Sequence, residues 1–82
     1  NELKSDWYTI YPNPVHNQLV IHVSDVGFKS SFRIFNIFGE KVLWENVTTR
    51  ETVLDVSALQ NGVYFIRLQR ENLFSIRKII KY

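Results

Sequence analysis

Apolar and polar residues alternate along much of this chain. From Leu19 to Ser24 the apolar side chains fall at every second position, with Leu19, Ile21 and Val23 on one side and His22 and Ser24 among the other set. A period of two is the mark of a half-buried β-strand. The period returns where Phe32 and Ile34 oppose Arg33 and Phe35, and again where Val42 and Trp44 share a face. A denser run follows the pair Asn61-Gly62, both of which tolerate positive φ in a turn. Val63, Tyr64, Phe65 and Ile66 are consecutive β-branched or aromatic residues. An apolar run on both sides of the pleat predicts a strand in the middle of a sheet. Beyond it, Tyr64, Ile66 and Leu68 keep one side apolar, while Arg67 and Gln69 turn the other toward water. So short a run also suits a buried helix, but β-branched and aromatic content and the glycine start favour a strand.

The remaining segments complete a set. Trp7–Tyr11 has strand composition and is ended by Pro12-Asn13-Pro14, where each proline removes a donor and holds the residue before it extended. The third strand is predicted to run from Phe32 to Phe38, with Asn36-Ile37-Phe38-Gly39 as the hairpin corner that leads into Lys41–Glu45. Thr52–Val56 makes a fifth strand, Ser57–Gln60 a tight turn, and a last strand runs from Leu73 to about Lys81. No window sustains a helical period. Seven short strands joined by turn residues predict an all-β fold, a seven-stranded antiparallel β-sandwich.

Composition agrees with one packed domain. At 82 residues the chain is too short for two independent cores, and 45% hydrophobic and 15% aromatic residues argue against disorder. No apolar run approaches the ~20 residues of a membrane-spanning helix, so no integral membrane segment is expected. The absence of cysteine excludes disulfides and thiolate metal sites. A net charge of +2 does not call for nucleic acid, and no nucleic-acid reading motif accompanies the charges. The chain starts at Asn1 without a methionine, so the domain is expected to have been joined to something longer, with residues 1–6 as the linker and 7–82 as the domain.

Candidate chemistry is sparse. His16 falls in a turn and His22 on the wet side of a strand, without a third ligand at metal-site spacing. Asp55 and Ser57 sit together with no histidine near by sequence, and read as groups that satisfy the N–H donors of a turn. The isolated glycines form no phosphate-cradling loop. No cofactor is expected and an enzyme is disfavoured. Two surface readings remain. Trp7, Tyr8, Tyr11, Trp44 and Tyr64 would suit a sugar-stacking platform, although strand aromatics more often fill a core. Arg67, Arg70, Arg77, Lys78 and Lys81 gather toward the end of the chain, as a solvated face or as a docking stripe on the last two strands.

Four landmarks in order resemble the C-terminal sorting domain carried by cargo proteins of the type IX (Por) secretion system of Bacteroidetes. They are Tyr11-Pro12-Asn13-Pro14 followed by Leu19-Val20-Ile21; Phe32 to Val42, with Asn36 and Gly39; Asp55-Val56-Ser57-Ala58-Leu59-Gln60-Asn61-Gly62-Val63-Tyr64-Phe65-Ile66; and Arg77-Lys78-Ile79-Ile80-Lys81-Tyr82. The turn after Pro14 departs from the pattern, since Val15-His16-Asn17-Gln18 has no glycine. The resemblance implies an Ig-like sandwich that acts as an address on a secreted or cell-surface protein, reached through the periplasm. Its implied partners are the upstream cargo domain in the same polypeptide, the outer-membrane type IX translocon and a sortase-like peptidase that cuts in the linker. Translocon recognition maps onto Arg77, Lys78, Ile79, Ile80, Lys81 and Tyr82. Tyr11, Pro12, Asn13, Pro14, Asn36, Gly39, Asp55, Ser57, Leu59, Gly62 and Tyr64 map as structural signature residues. A physical expectation accompanies it: the last strand offers main-chain hydrogen bonds and alternate side chains to a receptor. Arg77, Lys78 and Lys81 would steer toward an acidic surface, and Ile76, Ile79 and Ile80 would anchor the strand. The competing reading is a carbohydrate-binding or fibronectin-like accessory module of a secreted hydrolase.

Overall fold

The alternating segments become strands in two packed sheets. A computed structural model describes residues 7–82; the expected linker at 1–6 lies outside them. The strands are β1 (Tyr8–Tyr11), β2 (Gln18–Val23), β3 (Ser30–Phe35), β4 (Lys41–Val47), β5 (Glu51–Asp55), β6 (Gly62–Arg70) and β7 (Leu73–Lys81). One sheet has the order β1-β2-β5 and the other β4-β3-β6-β7, with every strand pair antiparallel. The fold is all-β, an Ig-like sandwich whose chain changes sheets between β2 and β3, β4 and β5, and β5 and β6.

The core is built from the faces that alternation marks. Leu19, Ile21 and Val23 of β2 meet Phe32 and Ile34 of β3 and Ile66 and Leu68 of β6, all at most 1% exposed. Burying side chains of this kind contributes about 1.5–3 kcal/mol each. Tyr8 and Ser75 share a buried hydrogen bond between their hydroxyls, which ties β1 to β7 across the layers. The aromatic ring of Trp7, 7% exposed, sits edge-on to Tyr8 and closes one end.

Several expectations need correction. β3 stops at Phe35, because the Asn36 side chain takes over as a turn organiser: its Oδ1 accepts from the N–H groups of Phe38 (2.9 Å) and Glu40 (3.0 Å). Gly39 closes that turn with a φ of 80° and an N–H bond to the Asn36 carbonyl. Val42 and Trp44 do not share a face. A register shift at Ile34/Phe35 pairs Ile34 with Leu43 but Phe35 with Lys41, so Val42 and Leu43 pack against the core while Trp44 is 60% exposed. β6 lies between β3 and β7, the interior position expected, yet Phe65 is 39% exposed. Its apolar run therefore covers one buried and one open face.

Candidate functional site

The last strand, which carries the expected recognition residues, is held along its free edge by the segment after β1. Pro12 and Pro14 have no N–H to offer, and the Asn13 side chain between them supplies a substitute peptide group. Asn13 Nδ2 donates to the Lys78 carbonyl at 2.9 Å, and the Ile80 N–H donates to Asn13 Oδ1 at 3.1 Å. Val15 then bridges to β7 as a short parallel strand would: its N–H donates to the Ile80 carbonyl (2.8 Å), and its carbonyl accepts from the Tyr82 N–H (3.0 Å). His16 completes the clamp, with Nδ1 donating to the main-chain oxygen of Tyr82 at 2.7 Å and its ring 5.2 Å from the Tyr82 ring.

This geometry revises how β7 can be read by a partner. The outward main-chain groups between the Lys78 carbonyl and the Tyr82 N–H already have intramolecular partners, so strand addition cannot use them without displacing Asn13 and Val15. Over that stretch the side chains are what remains on offer. Lys78, Ile80 and Tyr82 are exposed, the last two by 40% and 58%, whereas Ile79 and Lys81 are buried at 3% and 6%. Lys81, expected among the solvent-facing cations, turns inward. Its stem lines a small apolar void beside Val15, Leu59 and Ile79, and its Nζ donates to the Tyr82 oxygen at 3.1 Å. A lysine buries four methylenes easily when its head finds an acceptor. Ile76 (44% exposed) and Ile80 face outward, leaving Ile79 as the isoleucine of the three that anchors the strand.

The basic residues do not form one stripe. Arg70 lies over Phe28 at 3.9 Å and over Trp7 at 5.4 Å, and Arg77 lies over Tyr8 at 5.4 Å. Arg67 and Lys78 stand on the outer face of the four-stranded sheet. The aromatic platform is divided in the same way. Trp7, Tyr8 and Tyr64 are buried, and the exposed Tyr11 and Trp44 belong to different sheets.

The remaining signature residues are turn builders. Asp55 Oδ1 accepts from the Ser57 hydroxyl (2.6 Å) and the Ser57 N–H (3.0 Å), and these bonds hold the carboxyl below its ordinary value. Leu59 donates its N–H to the Val56 carbonyl, and Gly62 starts β6 at φ 150°. The Tyr64 hydroxyl donates back to the Gln60 carbonyl at 2.7 Å, which gives the tyrosine corner of Ig-like sandwiches. Among the described residues no group of three His, Asp or Glu side chains is placed to hold a metal.

Comparison with known families gives this arrangement a context. The family of secretion system C-terminal sorting domains, of the Por type, matches residues 9–82. This chain belongs to that family. The sorting domain directs an attached cargo through the type IX system to the outside of the cell or its surface, and it engages the secretion machinery as a signal, not as a catalyst. Comparison with curated proteins returned no match.

The Asn13–His16 clamp on the sorting domain was missed at the level of sequence. His16 read there as a plain surface residue and Asn13 as part of a turn. The available signal was an amide side chain flanked by two residues without N–H donors.

Proposed function

We propose that the outer-membrane type IX translocon grips this sorting domain through the outward side chains of β7, with Lys78, Ile80 and Tyr82 as the contact residues. Ile79 and Lys81 serve the same recognition indirectly, by fixing the strand so that its alternate residues stand clear. Arg77, on the other side of the strand and over the Tyr8 ring, adds positive charge near the same edge. The observation that supports this reading is the alternation at the end of β7: exposed Lys78, buried Ile79, exposed Ile80, buried Lys81, exposed Tyr82. A signal read on a folded domain needs side chains displayed on a rigid strand. Here the end of the strand, from Lys78 to Lys81, is held by β6 on one edge and by Asn13 and Val15 on the other. After translocation, a sortase-like peptidase releases the cargo by cutting within the 1–6 linker.

A periplasmic reporter fused in front of residues 1–82 tests both steps in a cell with a working type IX system. Lys78→Glu combined with Ile80→Glu is expected to leave the reporter folded but retained in the periplasm. Normal export of that variant would refute the contact assignment. Released reporter should end within residues 1–6 by mass spectrometry, and an end inside 7–82 would refute the cleavage assignment.

A further inference from the structure

The outer face of the four-stranded sheet has a composition that neither solubility nor packing accounts for. Strand register sets its residues in transverse rows. Lys41, Phe35, Phe65 and Lys78 form one row, with cations flanking an aromatic pair. Trp44, Arg33, Arg67 and Ile76 form the next, with apolar side chains flanking an arginine pair. Among the described residues no carboxylate stands in either row, nor in the neighbouring row of Asn46, Ser31, Gln69 and Phe74.

The arrangement costs stability. Arg33 and Arg67 are directly opposite each other on adjacent strands, and like charges in that position repel. Arg67 Nε is buried without a hydrogen-bond partner, and its guanidinium lies 4.3 Å over the Phe74 ring. Lys41 Nζ stands 4.3 Å over Trp44. Trp44, Ile76, Ile80 and Phe65 are 60%, 44%, 40% and 39% exposed around these cations. Soluble surfaces ordinarily intersperse both signs of charge and keep apolar patches small.

We infer that this face docks an acidic protein surface whose carboxylates are interleaved with apolar side chains. Adjacent strands are about 4.8 Å apart, so the Arg33–Arg67 pair suits two carboxylates on one partner element. The surrounding rings and isoleucines exclude water, which strengthens those charge-assisted bonds. A symmetric second copy is a poor occupant, because it would set Lys41, Arg33, Arg67 and Lys78 against the same four cations. An anionic polysaccharide would meet the charges but leave Phe65, Ile76 and Ile80 without partners. The inference rests on the recognition reading above only in sharing Lys78 and Ile80; Arg33, Arg67 and Phe65 belong to this face alone.

The test is an NMR titration of the isotope-labelled chain with a random glutamate–tyrosine copolymer at low salt, with alginate as the polysaccharide probe. Shifts are expected at Arg33, Trp44, Phe65 and Arg67, with alginate binding much more weakly at equal charge. Arg33→Glu should weaken copolymer binding by about tenfold or more. The same substitution places a carboxylate opposite Arg67, so its melting temperature should rise, and loss of binding in a more stable protein is not misfolding. Arg33→Gln should fall between the two. Absence of shifts on this face, alginate binding as tightly as the copolymer, undiminished binding by Arg33→Glu, or self-association through this face would each overturn the inference. Reporter export separates it from the earlier reading. If Lys78→Glu with Ile80→Glu blocks export while Arg33→Glu binds and exports normally, this inference alone falls. If Arg33→Glu loses binding and export while the β7 variant exports normally, the earlier reading alone falls.

Discussion

Asn13 Nδ2 donates to the carbonyl of Lys78 at 2.9 Å, although 65 positions separate the two residues in sequence. The Ile80 N–H returns a second bond to the same carboxamide, so one side chain spans two main-chain groups of β7. Asn13→Ala should remove both bonds and cost about 1–2 kcal/mol, read as a lower urea midpoint with an unchanged slope. Hydrogen exchange at the Ile80 amide should speed up in step. Asn13→Asp keeps the acceptor for Ile80 but sets a carboxylate oxygen against the Lys78 carbonyl, so at neutral pH it should not restore the lost stability. An unchanged midpoint in Asn13→Ala would mean that Val15 and His16 hold the edge without it.

The bond from the Tyr64 hydroxyl to the Gln60 carbonyl pins the start of β6 to the turn before it. Tyr64→Phe keeps the ring, which is 8% exposed, and deletes the hydroxyl. The expected loss is about 0.5–1.5 kcal/mol in chemical denaturation, since the change removes one net hydrogen bond and leaves a carbonyl short of its donor. A loss near zero would show that water replaces the hydroxyl at no cost.

Side-chain direction was legible where the chain alternates in regular register, and failed at Val42 and Trp44, where the shift at Ile34/Phe35 breaks the alternation. Leu19, Ile21 and Val23, then Phe32 and Ile34, then Tyr64, Ile66 and Leu68 are inward-facing as their spacing requires. The turns were legible for a similar local reason, since Asn36, Gly39 and the Asp55–Ser57 pair act on neighbours within four positions. What escaped the sequence depends on partners far along the chain. Nothing local says that Asn13 meets Lys78, or that Lys81 folds its stem against Val15 and Leu59. The apolar run at 63–66 was ambiguous for a related reason. Burial on both faces and an exposed apolar face write the same letters, and Phe65 takes the second option.

Asp55 is held below its ordinary carboxyl value of 3.8, first by the Ser57 hydroxyl and then by the Ser57 N–H. A carboxyl with a depressed native pKa contributes stability that is present above the unfolded value and lost as pH falls through the native one. Melting temperature should therefore decline below about pH 4 partly through this turn. Ser57→Ala removes the larger of the two causes and should flatten that part of the profile, and Asp55→Asn should flatten it further. Profiles that run parallel to the unsubstituted protein would show that Asp55 is not coupled to folding.

Ile79 and Ile80 are neighbours with opposite assignments, which makes them a paired experiment. Ile79 is 3% exposed against the core, so Ile79→Ala should cost about 2–5 kcal/mol through lost burial and the cavity left behind. Ile80 is 40% exposed on the outer face, so Ile80→Ala should stay within about 0.5 kcal/mol of the starting protein. Export of a fused reporter should rank the other way at temperatures where both variants are folded. Ile80→Ala should reduce secretion while Ile79→Ala secretes until it begins to unfold. Because the two residues are adjacent and chemically identical, composition and position in the chain drop out of the comparison. If export instead tracks melting temperature in both, the translocon reads whether β7 is folded and not which side chains it displays.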